Sequence, residues 1–155
     1  CIKMNLTKHF TLAEMTRSLT ASRKGIDNTP GPQEIQNLID LCENVLEPLR
    51  NYLRQPLPIS SGYRSPELNK AIGGASRNGK QTSQHCYGQA VDIVVDGRNA
   101  EIFRYLKNLD VDQVIWEFGT DQEPAWIHVS YNKGNNRNNY LKAVKRNGKT
   151  QYIKL

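Results

Sequence analysis

The stretch Ser83-Gln84-His85-Cys86-Tyr87-Gly88-Gln89-Ala90-Val91-Asp92, answered downstream by Trp126-Ile127-His128-Val129-Ser130, decides how this chain reads. Successive side chains of a strand point to opposite faces. Over 90–95, Val91, Ile93 and Val95 share one face and Asp92 takes the other. Over 126–131, Ile127, Val129 and Tyr131 share the core face, leaving His128 opposite with Trp126 and Ser130. Over 112–118, Val114, Trp116 and Phe118 join the core, so Glu117 points to the side of Asp92 and His128. His85 precedes its strand, and Gly88 permits the sharp turn that brings it to the same place. Two imidazoles and a carboxylate fill three positions of a tetrahedral zinc and leave the fourth open to water, the arrangement of a catalytic rather than a structural metal. The third histidine, His9, reads as structural or solvated. Cys86 reads as a neighbour of the cluster whose side chain points elsewhere, because a sulfur ligand would suit a structural site.

Outward from these strands, the periodicity changes. From Pro32 to Leu53 the residues Ile35, Leu38, Ile39, Cys42, Val45, Leu46, Leu49, Tyr52 and Leu53 recur at three- and four-residue spacing, predicting one amphipathic helix. Pro48 lies inside it and removes a backbone donor, so a kink or a break into two helices is expected there. Cys42 falls on the apolar stripe as a buried, inert thiol. A short helix is predicted over Leu12 to Ser18, capped by Thr11, and another over Ala100 to Leu109. A further β-rich run covers Pro58 to Tyr63. Near the end, Tyr140 to Lys145 and Lys149 to Leu155 flank Asn147-Gly148, which supplies the positive φ angles of a tight hairpin. Helices first and hairpin-connected strands afterwards describe an α+β chain, with N-terminal helices packed on a central antiparallel sheet.

The 155 residues suit a single domain over 1–155 with one core. The apolar runs are only a few residues long, far short of the about 20 needed to cross a bilayer, so no transmembrane segment is expected. Three cysteines, irregularly spaced, suggest neither a disulfide framework nor a metal knuckle. The net charge of +6 favours anionic partners. Its C-terminal share (Lys133, Arg137, Lys142, Lys145, Arg146, Lys149, Lys154) lacks aromatic interleaving and reads as a solvated basic edge, so no nucleic-acid partner is expected.

The pattern Ser83-x-His85-x-x-Gly88-x-Ala90-x-Asp92 with the later Trp126-x-His128 resembles the zinc D-alanyl-D-alanine carboxypeptidases, a group that includes vancomycin-resistance carboxypeptidases and dipeptidases and several phage endolysins. Ile59-Ser60-Ser61-Gly62-Tyr63-Arg64-Ser65 and Leu68-Asn69 through Gly73-Gly74 are similar to that family's signatures as well. The resemblance runs from about His9 to Tyr131 and implies the fold shared with the hedgehog signalling domain. It also implies that His85, Asp92 and His128 are the zinc ligands and that Arg64 and Ser83 hold substrate. Arg64 brings a planar, permanently charged fork suited to a carboxylate or a developing oxyanion. Trp126 is expected at the rim, packing against the peptide.

One departure stands out. Family members carry an acidic residue three positions before the second zinc histidine, and here that position is Ala125. The face argument makes Glu117 the replacement general base, with Glu123 and Asp121 as weaker candidates. The expected activity is zinc-dependent hydrolysis of peptidoglycan stem peptides by a monomer, of the D-Ala-D-Ala carboxypeptidase type. The alternatives are an endopeptidase cutting within the stem peptide and a non-catalytic, zinc-containing wall-binding module. The substrate implies action outside the cytoplasm, in the periplasm or cell wall: Met4 suits the start of a phage lysin, and Cys1 the first residue left after removal of a lipoprotein leader.

Overall fold

The computed structural model describes residues 4–155; Cys1, and with it the lipoprotein expectation, lies outside the described residues. Helix α1 (Leu12–Thr16) opens with a reciprocal cap: the Thr11 hydroxyl accepts from the Glu14 amide, and the Glu14 carboxylate accepts from the Thr11 amide. A second short helix, α2 (Leu19–Lys24), follows at once, capped by Ser18 and closed by Gly25 in the left-handed region. Helix α3 (Pro32–Leu41) does not break at Pro48. It passes through a π turn (Cys42–Leu46), in which the Glu47 amide donates to the Cys42 carbonyl, into α4 (Glu47–Leu53). The widened turn shifts the hydrogen-bond register just ahead of the residue that cannot donate, so the chain stays helical.

Strand β1 (Ile59–Ser61) leads to α5 (Pro66–Ala71), a two-residue ribbon β2 (Ser76–Arg77) and β3 (Lys80–Gln81), and a 3-10 turn (Gln84–Tyr87). Then come β4 (Ala90–Ile93), α6 (Asn99–Leu106), β5 (Gln113–Glu117), β6 (Trp126–Ser130), β7 (Asn139–Arg146) and β8 (Lys149–Lys154). The α+β class holds. The six-stranded sheet has the order β1-β4-β6-β5-β7-β8 and is mixed, not wholly antiparallel: β5 and β7 run parallel. The reason lies in the edges. β6 is flanked by β4 and β5, so the chain leaving it at Ser130 steps past the start of β5, and Asn139 enters beside Gln113.

The helices cover one face of the sheet. Phe10, Met15, Leu38, Leu41, Leu46 and Leu49 pack in one cluster with Ile102 and Leu106 and with the inward residues Val91, Ile93, Val114, Ile127 and Val129. At about 25 cal/mol per Å² of apolar area, this burial is the main stabilising term, and it pins the register of every central strand. The opposite face therefore carries the polar members of each strand.

Candidate active site

Antiparallel pairing sets Asp92 opposite His128, and His128 opposite Ile115 on its other side, so the three share one face. Glu117 pairs with Trp126 on that face. His85 arrives from the 3-10 turn. Ser83 caps that turn by accepting from the His85 amide at 3.2 Å, and Gly88 ends it at φ 71°. A Cβ on Gly88 would lie 2.4 Å from the Glu34 carbonyl oxygen, so the close approach of the turn to α3 requires glycine there.

His85, Asp92 and His128 offer ligand atoms that all lie within 4.8 Å of one another. Asp92 Oδ1 stands 3.4 Å from His85 Nε2 and 3.2 Å from His128 Nδ1. His85 Nδ1 donates to the Gly62 carbonyl at 2.8 Å, which turns the Nε2 lone pair toward the cluster. Such a backbone partner commonly orients a metal-bound imidazole. Burial keeps His85 below the usual histidine range, hence neutral. Burial also works against the Asp92 carboxylate, but the hydrogen bond from His128 and the Arg64 guanidinium beside it favour the charged form and hold the group ionised. Two imidazoles with one carboxylate are a donor set that zinc selects, so these residues fit that ion.

Arg64 sits against the cluster. Its guanidinium donates to Ser61 Oγ at 3.1 Å, Asn69 Oδ1 at 3.3 Å and Asp92 Oδ2 at 3.3 Å. It therefore steadies the carboxylate as well as facing the cleft. The Gly62 and Gly74 positions of the signature stretches have packing reasons too: a Cβ would meet the Met15 carbonyl oxygen at 2.4 Å or Asn69 Oδ1 at 1.9 Å.

His85, Asp92, His128 and Arg64 line one open cleft of about 780 Å³, together with Ser83, Glu117 and Trp126. Glu117 is 8% exposed. Burial, helped by the Asp92 charge and opposed by His128, pushes its pKa up to about 7. The weaker base candidates are committed elsewhere. Glu123 accepts from the Ala100 amide at 2.6 Å, in the first turn of α6, and Asp121 is exposed and pairs with Lys142. His9 is tied to Glu47 at 2.5 Å, and the Cys86 thiol is buried and outside the ligand cluster.

A family model described as Peptidase M15 matches residues 8–130, most of the chain. The chain belongs to the peptidase M15 family. No curated protein matches it. Membership makes it a metallopeptidase, in a family whose members are typically zinc-dependent and act on peptidoglycan peptides.

The M15 site contains parts that the strand alternation did not reach. Phe118 is not on the core face: at φ 55° the chain leaves β5, and its ring meets Trp126 at 5.4 Å on the cleft side. Asp112 is a buried hub that accepts from Gln84 at 2.9 Å and from Arg137 at 3.0 and 2.8 Å, bracing the turn that carries His85. The far wall comes from β7 and β8, through Leu141, Lys145, Thr150 and Tyr152. The Asn147-Gly148 hairpin signalled these two strands in the sequence, but nothing local said which strand they would join.

Proposed function

We propose that the protein is a zinc-dependent peptidase of peptidoglycan stem peptides, of the D-Ala-D-Ala carboxypeptidase type, acting outside the cytoplasm. The observation that supports this most is the meeting of a His, Asp, His ligand cluster with one buried glutamate and one arginine in a single cleft. A zinc ion bound there would supply Lewis-acid chemistry, polarising the scissile carbonyl and making water a better nucleophile near neutral pH. His85, Asp92 and His128 would hold it. Glu117 takes a proton from the attacking water, and its raised pKa suits a base working near neutrality. The same carboxyl then delivers that proton to the leaving amine nitrogen. Arg64 offers its fork to the terminal carboxylate of the peptide, or to the carbonyl oxygen as charge develops on it. Ser83, whose oxygen already accepts from the His85 amide, keeps a hydroxyl proton to donate to the peptide backbone. Trp126 and Phe118 flank the peptide with apolar surface.

A second reading, an endopeptidase within the stem peptide, is favoured by the width of the cleft, which runs from Arg64 to Tyr152 across the sheet. Purified stem peptides incubated with zinc-loaded protein separate the two by mass. Release of a single terminal D-alanine supports the carboxypeptidase. Two peptide fragments support the endopeptidase, and unchanged peptide rejects both.

A further inference from the structure

The cleft wall formed by β7 and β8 lies beyond the stretch matched by the family model, which ends at residue 130. Among the described residues, three long cationic side chains line the cleft: Arg64, Arg137 and Lys145. Two already face a protein carboxylate, Arg64 that of Asp92 and Arg137 that of the buried Asp112. Among the described residues, Lys145 has no carboxylate within ion-pair distance. Its ammonium stands 5.7 Å from the centre of the Phe118 ring, whose other neighbour is Trp126. The pairing of Lys145 with Thr150 and of Ala143 with Tyr152 places Tyr152 on the same face, more than half exposed at the mouth of the cleft.

Strand order converts to distance. His128 on β6 is level with Ile115 and, through it, with Leu141. The backbone of Lys145 lies two strands over and four residues along, roughly 16 Å away at about 4.8 Å per strand and about 3.3 Å per residue. The lysine stem reaches back several ångströms, leaving about three residues of extended peptide between the metal ligands and the ammonium.

We propose that Lys145, flanked by Phe118 and Tyr152, forms a subsite for a carboxylate borne by the substrate about three residues from the scissile bond. The subsite rests on the reading of this cleft as a peptide-hydrolysing site. It makes the C-terminal hairpin a selector of substrate charge, separate from the metal chemistry. The contact is exposed, so its effect is modest, about fivefold, and weakens as salt screens it.

The test uses two synthetic stem peptides that differ only in a carboxylate or a carboxamide at that distance. The parent should prefer the acidic peptide by about fivefold, through KM, and Lys145→Gln should erase the preference. Lys149→Gln removes the same charge from the opposite face of the same hairpin and should keep it. In parallel, binding of both uncleaved peptides is titrated to zinc-loaded Glu117→Gln protein with and without Lys145→Gln. Hydrolysis without charge preference overturns the subsite and leaves the peptidase reading standing. No hydrolysis, but acid-selective binding that depends on Lys145, overturns the peptidase reading and leaves the subsite. Equal loss of preference in Lys145→Gln and Lys149→Gln assigns it to the overall field and overturns the subsite.

Discussion

Glu117 is buried where an ionised carboxylate is costly, and the catalytic role proposed for it draws on that cost. Its replacement by glutamine keeps the shape and removes the base, so turnover should fall by about 100- to 10,000-fold while zinc content stays the same. Steady-state rates with parallel elemental analysis check this; retained turnover would remove Glu117 from the mechanism. A linked expectation concerns pH. Folding raises the carboxyl from its ordinary 4.5 to about 7 in the chain without metal, so between these values the folded protein binds more protons than the unfolded one. The stability associated with this group is therefore full below about pH 4.5 and is lost as pH rises through 7. Glu117→Gln escapes that loss. In chelator, it should be the more stable protein at pH 8, by on the order of 3 kcal/mol, and should converge with the parent near pH 4. Urea titrations at the two pH values decide it, and a constant difference would mean that the carboxyl is not strained by burial. Position 117 was legible from alternation alone, whereas the dismissal of Glu123 and Asp121 was not, because their partners Ala100 and Lys142 are 23 and 21 residues away.

The 3-10 turn Gln84–Tyr87 converts a local backbone requirement into the position of the His85 side chain in the cluster. Gly88 adopts a left-handed φ and has no room for a Cβ beside Glu34. Gly88→Ala should cost about 1–3 kcal/mol of stability, and by displacing His85 it should weaken zinc binding by about 10- to 100-fold. A chelator-competition titration reads the second effect; unchanged affinity would show that the turn does not aim the ligand. Among the other elements, the long helical pattern over 32–53 was readable because its apolar stripe repeats many times. The π turn was not, since periodicity registers a proline but not how the preceding turn accommodates it. Helix α2 escaped notice because only Ala21 of its six residues is buried, although Ser18 and Gly25 were both in place as end signals. The β2–β3 ribbon likewise hid behind polar flanks, with only Asn78-Gly79 to mark its turn.

The whole molecule wraps its helices around one sheet face so that the other can hold the charged cluster, and metal binding should therefore report on global stability. Zinc in about 1,000-fold excess over its Kd stabilises the folded state by about 4 kcal/mol. At roughly 2–4 °C per kcal/mol for a chain of this size, the melting temperature should rise by about 8–16 °C over the chelated protein. Calorimetry with and without zinc checks this, and a His85→Ala, His128→Ala double variant should show no such rise. The sequence by itself determined which side chains could share a face, and with that the grouping of Asp92, His128 and Glu117, because alternation along a strand is a property of the local backbone; His85, off the strand, was reached through the Gly88 turn and the motif around it. It also determined the helical stripe and the closing hairpin, for the same reason. Only the tertiary structure decided the strand order, the parallel pairing of β5 with β7, the turn of Phe118 into the cleft and the wall that presents Lys145 and Tyr152. These depend on which sheet edge remains free once β4 and β5 have flanked β6, and no short stretch of sequence carries that competition between distant segments.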